Sequence, residues 1–193
     1  IERLALEPGE AVLVIGQGPI GIILGLLAKR AGAGVITSDL YDQRLTISKA
    51  FGLANTVNAS RADVAAETRR MTEGRGADAA ILAVGGNRLI QTAMDAVRPG
   101  GRVLLFAQTQ HGEATFDPAA VCVDEKTLVG SYSASVDLQE ESVRIVMRRE
   151  WELEKLISHR FPLSRAIEAL DLAANPRPDS MKIVIQPGLP NKE

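Results

Sequence analysis

Cysteine is nearly missing from this chain: Cys122 is the only one in 193 residues. A single thiol excludes an internal disulfide framework and a cysteine zinc cluster. It fits a reducing compartment, so a cytoplasmic protein is expected. Histidine is as scarce. His111 and His159 are the two present, and neither stands at metal-ligand spacing from the other or from Cys122, so no zinc site is expected within these residues. Charge of one sign is also lacking. The 22 Lys and Arg nearly balance the 24 Asp and Glu, a net of −2, which leaves no basic field to attract nucleic acid or an anionic membrane. No run of apolar residues is long enough to span a bilayer, and no basic stretch followed by an apolar run precedes the first apolar segment, so neither a membrane helix nor a signal peptide is expected. Neither a G-x-S-x-G nor a G-x-x-x-x-G-K occurs. The chain opens on Ile1 rather than methionine and reads as a cut through a longer one.

What is present is an ordinary globular balance, 46% apolar and 24% charged. At ~150 residues per domain the length fits one domain plus an addition. The first two-thirds alternates short apolar runs with helical patterns. Ala11–Ile15 reads as a buried strand, and Pro19–Ala31 as a helix apolar almost all round and ended by Gly32. Val35–Ser38, Thr56–Asn58, Ala79–Val84, Arg102–Phe106 and Thr127–Tyr132 read as further strands. Asp42–Phe51, Asp63–Thr72 and Asn87–Val97 read as helices. Ser60 and Asp63 resemble a capping box, and Pro99-Gly100-Gly101 reads as a turn. Such alternation implies right-handed crossovers and a parallel sheet covered on both faces, an α/β doubly wound fold. From about Leu138 the pattern changes. Leu138–Arg149 and Ser164–Ala174 read as helices, the latter capped by Ser164, and His159–Pro162 and Met181–Ile185 as strands. The expected division is a domain over 1–136 and a helix and strand extension over 137–193.

The chemistry is concentrated in Gly16-Gln17-Gly18-Pro19-Ile20-Gly21, a G-x-G-x-x-G. Chance supplies that spacing ~0.13 times in a chain this rich in glycine, so the spacing alone is weak. Its context is stronger, because the motif leaves a strand and opens a helix as a dinucleotide site requires. Gly16 permits the tight turn, Gly18 removes a Cβ from the path of a pyrophosphate, and Gly21 lets helix and strand pack closely. The helix N-terminus then offers unpaired N–H groups and the positive end of a dipole. Asp39 ends the second strand, 18 residues after Gly21. A carboxylate there accepts from ribose hydroxyls and repels a 2′-phosphate, which favours NAD over NADP. Asp39 also suits a plain turn or helix-start role, which Asp42 is equally placed to fill. Methyltransferases that use S-adenosylmethionine share the glycine turn and the acid, so the acid alone does not select a nicotinamide.

GEAVLVIGQGPIG, the strand VITSDL with Arg44 five residues after Asp39, VRPGGRVLLF, and the later LISHRFPLSRAIEALDLAANPRPDSMKIVIQP together resemble the coenzyme (Rossmann) domain and C-terminal segment of the zinc-dependent medium-chain alcohol dehydrogenases. Within that family the chain is most similar to the polyol and threonine dehydrogenases, essentially from end to end. The resemblance implies that Gly16, Gly18, Pro19, Ile20 and Gly21 border the pyrophosphate, and that Asp39 and Arg44 hold the adenosine ribose. Ala83 and Val84 then line the adenosine and inner ribose. Phe106 and Gln108 offer backbone to the nicotinamide amide, Ser131 and Tyr132 flank the nicotinamide, and Lys182 reaches the pyrophosphate from the tail. Arg44 as a solvated helix cation, Tyr132 as core packing and Lys182 as an edge-strand surface charge are the plain alternatives.

The family's catalytic zinc polarises the alcohol oxygen so that hydride can pass to the nicotinamide. Its ligands lie before the coenzyme domain, and zinc is expected only in that region, which these residues do not include. The reading is therefore the NAD-binding part of an oxidoreductase acting on a small-molecule alcohol, without turnover on its own and homo-oligomeric through the edge strand near Thr127–Tyr132. The alternative is a stand-alone nucleotide-binding or redox-sensing module. Cys122 is expected to be a partly buried, inert thiol. In the tail, Leu153, Leu156, Ile157, Ile167 and Leu170 are expected to form an apolar face short of a partner.

Overall fold

The computed structural model describes residues 1–107, 111–132 and 135–189. Contacts divide the chain into two compact units, Ile1–Tyr132 and Ser133–Glu193. The first contains β1 (Ala11–Ile15), α1 (Pro19–Arg30), β2 (Gly34–Asp39), α2 (Asp42–Ala50), β3 (Asn55–Asn58), α3 (Val64–Met71), β4 (Ala77–Leu82), α4 (Asn87–Ala96), β5 (Val97–Leu105), the short α5 (Ala119–Cys122) and β6 (Thr127–Gly130). The six strands form one parallel sheet in the order β3-β2-β1-β4-β5-β6. The order runs outward from β1 in one direction and then from β4 in the other. With right-handed crossovers this puts α1 and α2 on one face and α4, packed with α3, on the opposite face. The expected doubly wound α/β architecture is therefore present.

Coverage on both faces explains why the central strands carry no polar alternation. Val12, Leu13 and Val14 of β1 and Ala79, Ala80 and Ile81 of β4 are wholly removed from water. Each of the larger side chains contributes about 1.5–3 kcal/mol by burial. Leu13, Ile36, Val57, Val64, Ile90, Met94 and Val103 belong to a core cluster that joins α3 and α4 to the sheet.

Several boundaries differ from the sequence reading. The Pro99-Gly100-Gly101 stretch is not a turn outside the strand: β5 starts at Val97, which pairs with Ala77, and the register shifts between Ala77 and Ala79. Gly100, at φ +70°, supplies the irregular step that lets ladder pairing resume at Arg102. α3 is capped by Asp63, whose Oδ1 accepts from Ala66 N at 2.8 Å, rather than by Ser60, which is turned to Asn58 Oδ1. β4 ends at Leu82, so Ala83 and Val84 lie in the loop just past it. α5 was unforeseen, and Cys122 within it is exposed rather than partly buried.

At the N-terminal end of the sheet sits a charge network. The Asp78 carboxylate, 3% exposed, accepts from Ala11 N at 2.8 Å, Arg75 at 2.6 Å and Arg98 Nε at 2.6 Å. Arg102 beside it reaches Glu10 and the carbonyls of Leu4 and Ala5, tying the entering segment to the sheet.

The second unit holds α6 (Gln139–Met147), β7 (Ile157–Phe161), α7 (Ala166–Ala174) and β8 (Lys182–Ile185), with β7 and β8 paired in parallel. α7 starts after a 3₁₀ turn over Leu163–Arg165, and Ser164 does not cap it. The apolar face expected in the tail is only partly open. Leu156 is buried and Leu153 and Ile157 are half-buried, whereas Ile167 and Leu170 are exposed. Among the described residues no helix is long and apolar enough to cross a membrane.

Candidate functional site

In an open parallel sheet the ligand crevice lies outside the C-terminal strand ends where the order reverses, here between β1 and β4. The glycine turn after β1 opens onto this point. Gly16 stands at φ +94°, where a side chain is strained, and a Cβ on it would meet the Val84 side chain at 2.8 Å. A Cβ on Gly21 would fall 1.8 Å from Gly16 O. Both glycines are thus demanded by the protein itself. Gly18 is different. Its φ of −71° and ψ of 179° suit any residue, and a Cβ there would meet nothing within 4 Å. The space over Gly18 is left open by the fold.

The amides of the turn divide in the same way. Gly16 N donates to Ser38 O at 2.8 Å, and Gln17 N donates to Asp39 Oδ2 at 2.7 Å, so both are consumed in stitching β1 to β2. Pro19, the first residue of α1, has no N–H to leave unpaired. The donors that remain for an anion are those of Gly18 and the first turn of α1, where the first intrahelical bond is Ile22 N to Gly18 O and the N–H groups of Ile20 and Gly21 precede it.

Gln17, which the sequence reading passed over as the variable position of the motif, is fully buried. Its Nε2 donates to Val14 O at 3.0 Å and Gly16 O at 3.1 Å, and its Oε1 accepts from Ser48 Oγ of α2 at 2.9 Å. One side chain therefore ties the glycine turn to α2. A polar residue between the two glycines was the visible signal, but nothing in the spacing says that it points inward.

Asp39 combines the two roles weighed for it. Oδ1 accepts from Tyr41 N at 3.0 Å, an Asx-type turn that leads into α2, and Oδ2 holds the glycine turn through Gln17 N. Each oxygen keeps lone-pair capacity for a further donor. Asp42 does not share this work. It sits on the surface, where a hydrogen bond from Asn58 at 2.6 Å, aided by Arg61 at 2.5 Å, holds its carboxyl below its usual range. Arg44 is mostly buried rather than solvated, with one guanidinium nitrogen 3.8 Å from Asp39 Oδ2.

Apolar side chains stand exposed at this end of the sheet. Ile20, Leu40, Tyr41 and Val84 follow the C-terminal ends of adjacent strands and remain open to water, a surface suited to a flat organic ring. Ala83 N donates to Ile15 O, which fixes the start of the loop carrying Val84. Phe106 is half-buried past β5, with its N–H on Leu82 O at 3.3 Å. Ser131 N donates to Leu105 O at 3.2 Å, and Tyr132 is 88% exposed and so is not core packing. Gln108 lies outside the described residues. Lys182 is the first residue of β8, exposed, in the second unit. Among the described residues no group of three or more His, Cys, Asp or Glu side chains is placed to hold a metal ion.

Residues 19–149 match the family model described as zinc-binding dehydrogenase. Among similar proteins, sorbitol dehydrogenase of Bacillus subtilis is 24% identical over 186 residues, covering 96% of this chain and 52% of that protein. D-xylulose reductase of Scheffersomyces stipitis is 30% identical over 173 residues, covering 85% of this chain and 47% of that protein. Among solved structures, alcohol dehydrogenase TADH from Thermus sp. ATN1 superposes with a TM-score of 0.86 at 26% identity, covering 94% of this chain and 52% of that one. The chain spans about half the length of the curated relatives it matches.

Proposed function

The chain belongs to the zinc-binding dehydrogenase family, and from that membership we propose that it is the coenzyme-binding part of an NAD-dependent oxidoreductase that transfers hydride between a small alcohol or polyol and the nicotinamide. The observation that supports this reading is the contrast among the three glycines: two are fixed by the protein's own packing, while the third leaves open space at the N-terminus of α1, where a diphosphate can approach the amides. The diphosphate is assigned to the amides of Gly18, Ile20 and Gly21, and the adenosine ribose to the Asp39 carboxylate with Arg44 beside it. Ile20, Ala83 and Val84 form the apolar walls. Phe106, Gln108, Ser131 and Tyr132 are assigned to the nicotinamide side, and Lys182 to the diphosphate.

When bound, the nicotinamide supplies the hydride acceptor or donor. The residues of this chain supply position and charge. The carboxylate of Asp39 disfavours a 2′-phosphate, and the helix dipole of α1 favours the diphosphate. Residues 1–136 are assigned as the coenzyme domain and 137–193 as its extension. The substrate-activating zinc is assigned to a part of the enzyme outside these residues. A cytoplasmic location is proposed from the single thiol. A homo-oligomer is proposed through β6, which ends the sheet among the described residues. Sedimentation at high concentration is expected to show a dimer, and a lone monomer would remove that assignment.

Calorimetric titration of the chain with NADH tests the main reading. Binding is expected, with S-adenosylmethionine failing to compete. Asp39→Ala is expected to weaken NADH by about tenfold or more, since a hydrogen bond to a charged group contributes about 1.5–3 kcal/mol. Unchanged affinity in that variant would take Asp39 out of the site.

A further inference from the structure

Tyr41 touches both charged groups of the ribose subsite. Its backbone N–H donates to Asp39 Oδ1 at 3.0 Å. Its ring lies against the Arg44 guanidinium, whose central carbon is 5.2 Å from the ring centroid. Arg44 in turn places a guanidinium nitrogen 3.8 Å from Asp39 Oδ2. The ring face is electron-rich and attracts the flat cation, so the stack holds Arg44 on the Asp39 side.

We propose that Tyr41 is a specificity-determining positioning residue: by stacking on Arg44 it commits that cation to Asp39 and withholds it from a 2′-phosphate. The inference rests on the coenzyme reading above. A 2′-phosphate brings a dianion to the position where Asp39 already carries a negative charge. Its one means of relief in this subsite is a cation that turns toward it. Arg44 is long enough to turn, but doing so costs the contact with the Tyr41 ring. Discrimination against NADPH is then Asp39's repulsion, protected by a ring that stops the neighbouring arginine from cancelling it.

The arrangement is well suited to a clean test, because Tyr41 serves the fold through its backbone. It occupies the position before α2 with no side-chain capping hydrogen bond, in ordinary extended geometry, and its ring is partly exposed. Removing the ring leaves the N–H to Asp39 Oδ1 in place. The experiment titrates NADH and NADPH into wild type, Tyr41→Ala, Tyr41→Phe, Arg44→Ala and the Tyr41→Ala/Arg44→Ala pair, reading the ratio of the two affinities. Tyr41→Ala is expected to shift the ratio toward NADPH by roughly two- to fivefold, the range a partly exposed cation–π contact supports. Tyr41→Phe, which keeps a ring face, is expected to hold the wild-type ratio. In the Arg44→Ala background, loss of the ring is expected to change nothing, because Tyr41 acts through Arg44. An unchanged ratio in Tyr41→Ala, or the same shift with and without Arg44, overturns the proposal while leaving the coenzyme reading intact. A wild-type chain that binds no NADH overturns both.

Discussion

Adding one methyl group at Gly18 and one at Gly21 separates the ligand's demands from the fold's. At Gly18 the new Cβ meets no protein atom within 4 Å, and the backbone at φ −71°, ψ 179° accepts an L side chain without strain. Gly18 is the N-cap of α1 without a side-chain bond. Its replacement by alanine therefore costs roughly 0.5–1 kcal/mol of capping preference, offset by about 0.4–1 kcal/mol from a less flexible unfolded chain. The net is close to zero. A melting temperature that moves 2–4 °C per kcal/mol in a chain of this size should shift by no more than about 2 °C. At Gly21 the Cβ arrives 1.8 Å from Gly16 O, a backbone atom that has no rotamer to retreat into. The start of α1 must shift, at a cost of about 1–3 kcal/mol or more, so Gly21→Ala should melt lower by roughly 2–12 °C or more.

Binding should run the other way. A methyl over Gly18 occupies the approach of the diphosphate to the amides. Losing one or two charge-assisted hydrogen bonds at about 1.5–3 kcal/mol each weakens NADH by ~10- to 1,000-fold or more. The assay is a thermal melt and an NADH fluorescence titration on the same two preparations. Gly18→Ala should melt like wild type and fail to bind. If it binds NADH as tightly as wild type, or melts as low as Gly21→Ala, the assignment of that open space to a ligand is wrong.

The remaining predictions concern two buried polar groups, Asp78 and Gln17. Burial alone would raise the Asp78 pKa, but hydrogen bonds from Arg75, Ala11 N and Arg98, with the charge of Arg75, hold it well below the usual carboxylate range. A folded pKa below the unfolded value of about 3.9 means stability that is complete above that value and is lost as pH falls through it toward the folded one. Wild type should therefore lose melting temperature more steeply than Asp78→Asn below about pH 4; parallel curves would show that the network contributes nothing through this charge. At neutral pH, Asp78→Ala should cost about 1–3 kcal/mol, less than a fully buried pair, because Arg75 and Arg98 both reach water and can be rehydrated. Gln17→Leu keeps the volume but leaves Ser48 Oγ without Oε1 and two turn carbonyls without Nε2. It should cost about 1–3 kcal/mol and weaken NADH. A cycle with Ser48→Ala should show coupling, and strict additivity would deny the bridge between the turn and α2.

The fold was legible because its signals are local and repeated. An apolar run such as Ala11–Ile15, bounded by Pro8-Gly9 and Gly16, has few meanings other than a buried strand, and five such runs alternating with helices admit few arrangements. Boundaries were less legible where tertiary pairing overrode local preference. Pro99-Gly100-Gly101 favours a turn in isolation, yet Val97 before it pairs with Ala77 and draws the stretch into β5. Asp63 rather than Ser60 caps α3 because the helix begins at Val64, which leaves Ser60 three residues before the cap position, in a turn bonded to Asn58. Within the site, the glycines and Asp39 carry their reasons in their residue types. Gln17 and Tyr41 do not: an inward amide and a ring under an arginine are set by which side chains the packed sheet brings near them.

That division bears on how any substitution at the site is to be read. Asp39 is the residue most readily named from sequence as a ribose acceptor, and its carboxylate is also what holds Gln17 N and Tyr41 N in place. Removing it withdraws a ligand contact and loosens the turn that presents the diphosphate amides, so its loss of affinity contains two effects. Asp39→Asn separates them. A carboxamide keeps one acceptor oxygen, enough for one of the two amides, while it loses the charge that disfavours a 2′-phosphate. If the carboxylate acts mainly by shaping the turn, Asp39→Asn should lose NADH and NADPH alike. If charge against the 2′ position dominates, the ratio of the two should move toward NADPH with less loss overall. The second outcome is expected, since a neutral amide at position 39 removes the negative charge that repels a 2′-phosphate while the positive charge of Arg44 stays nearby.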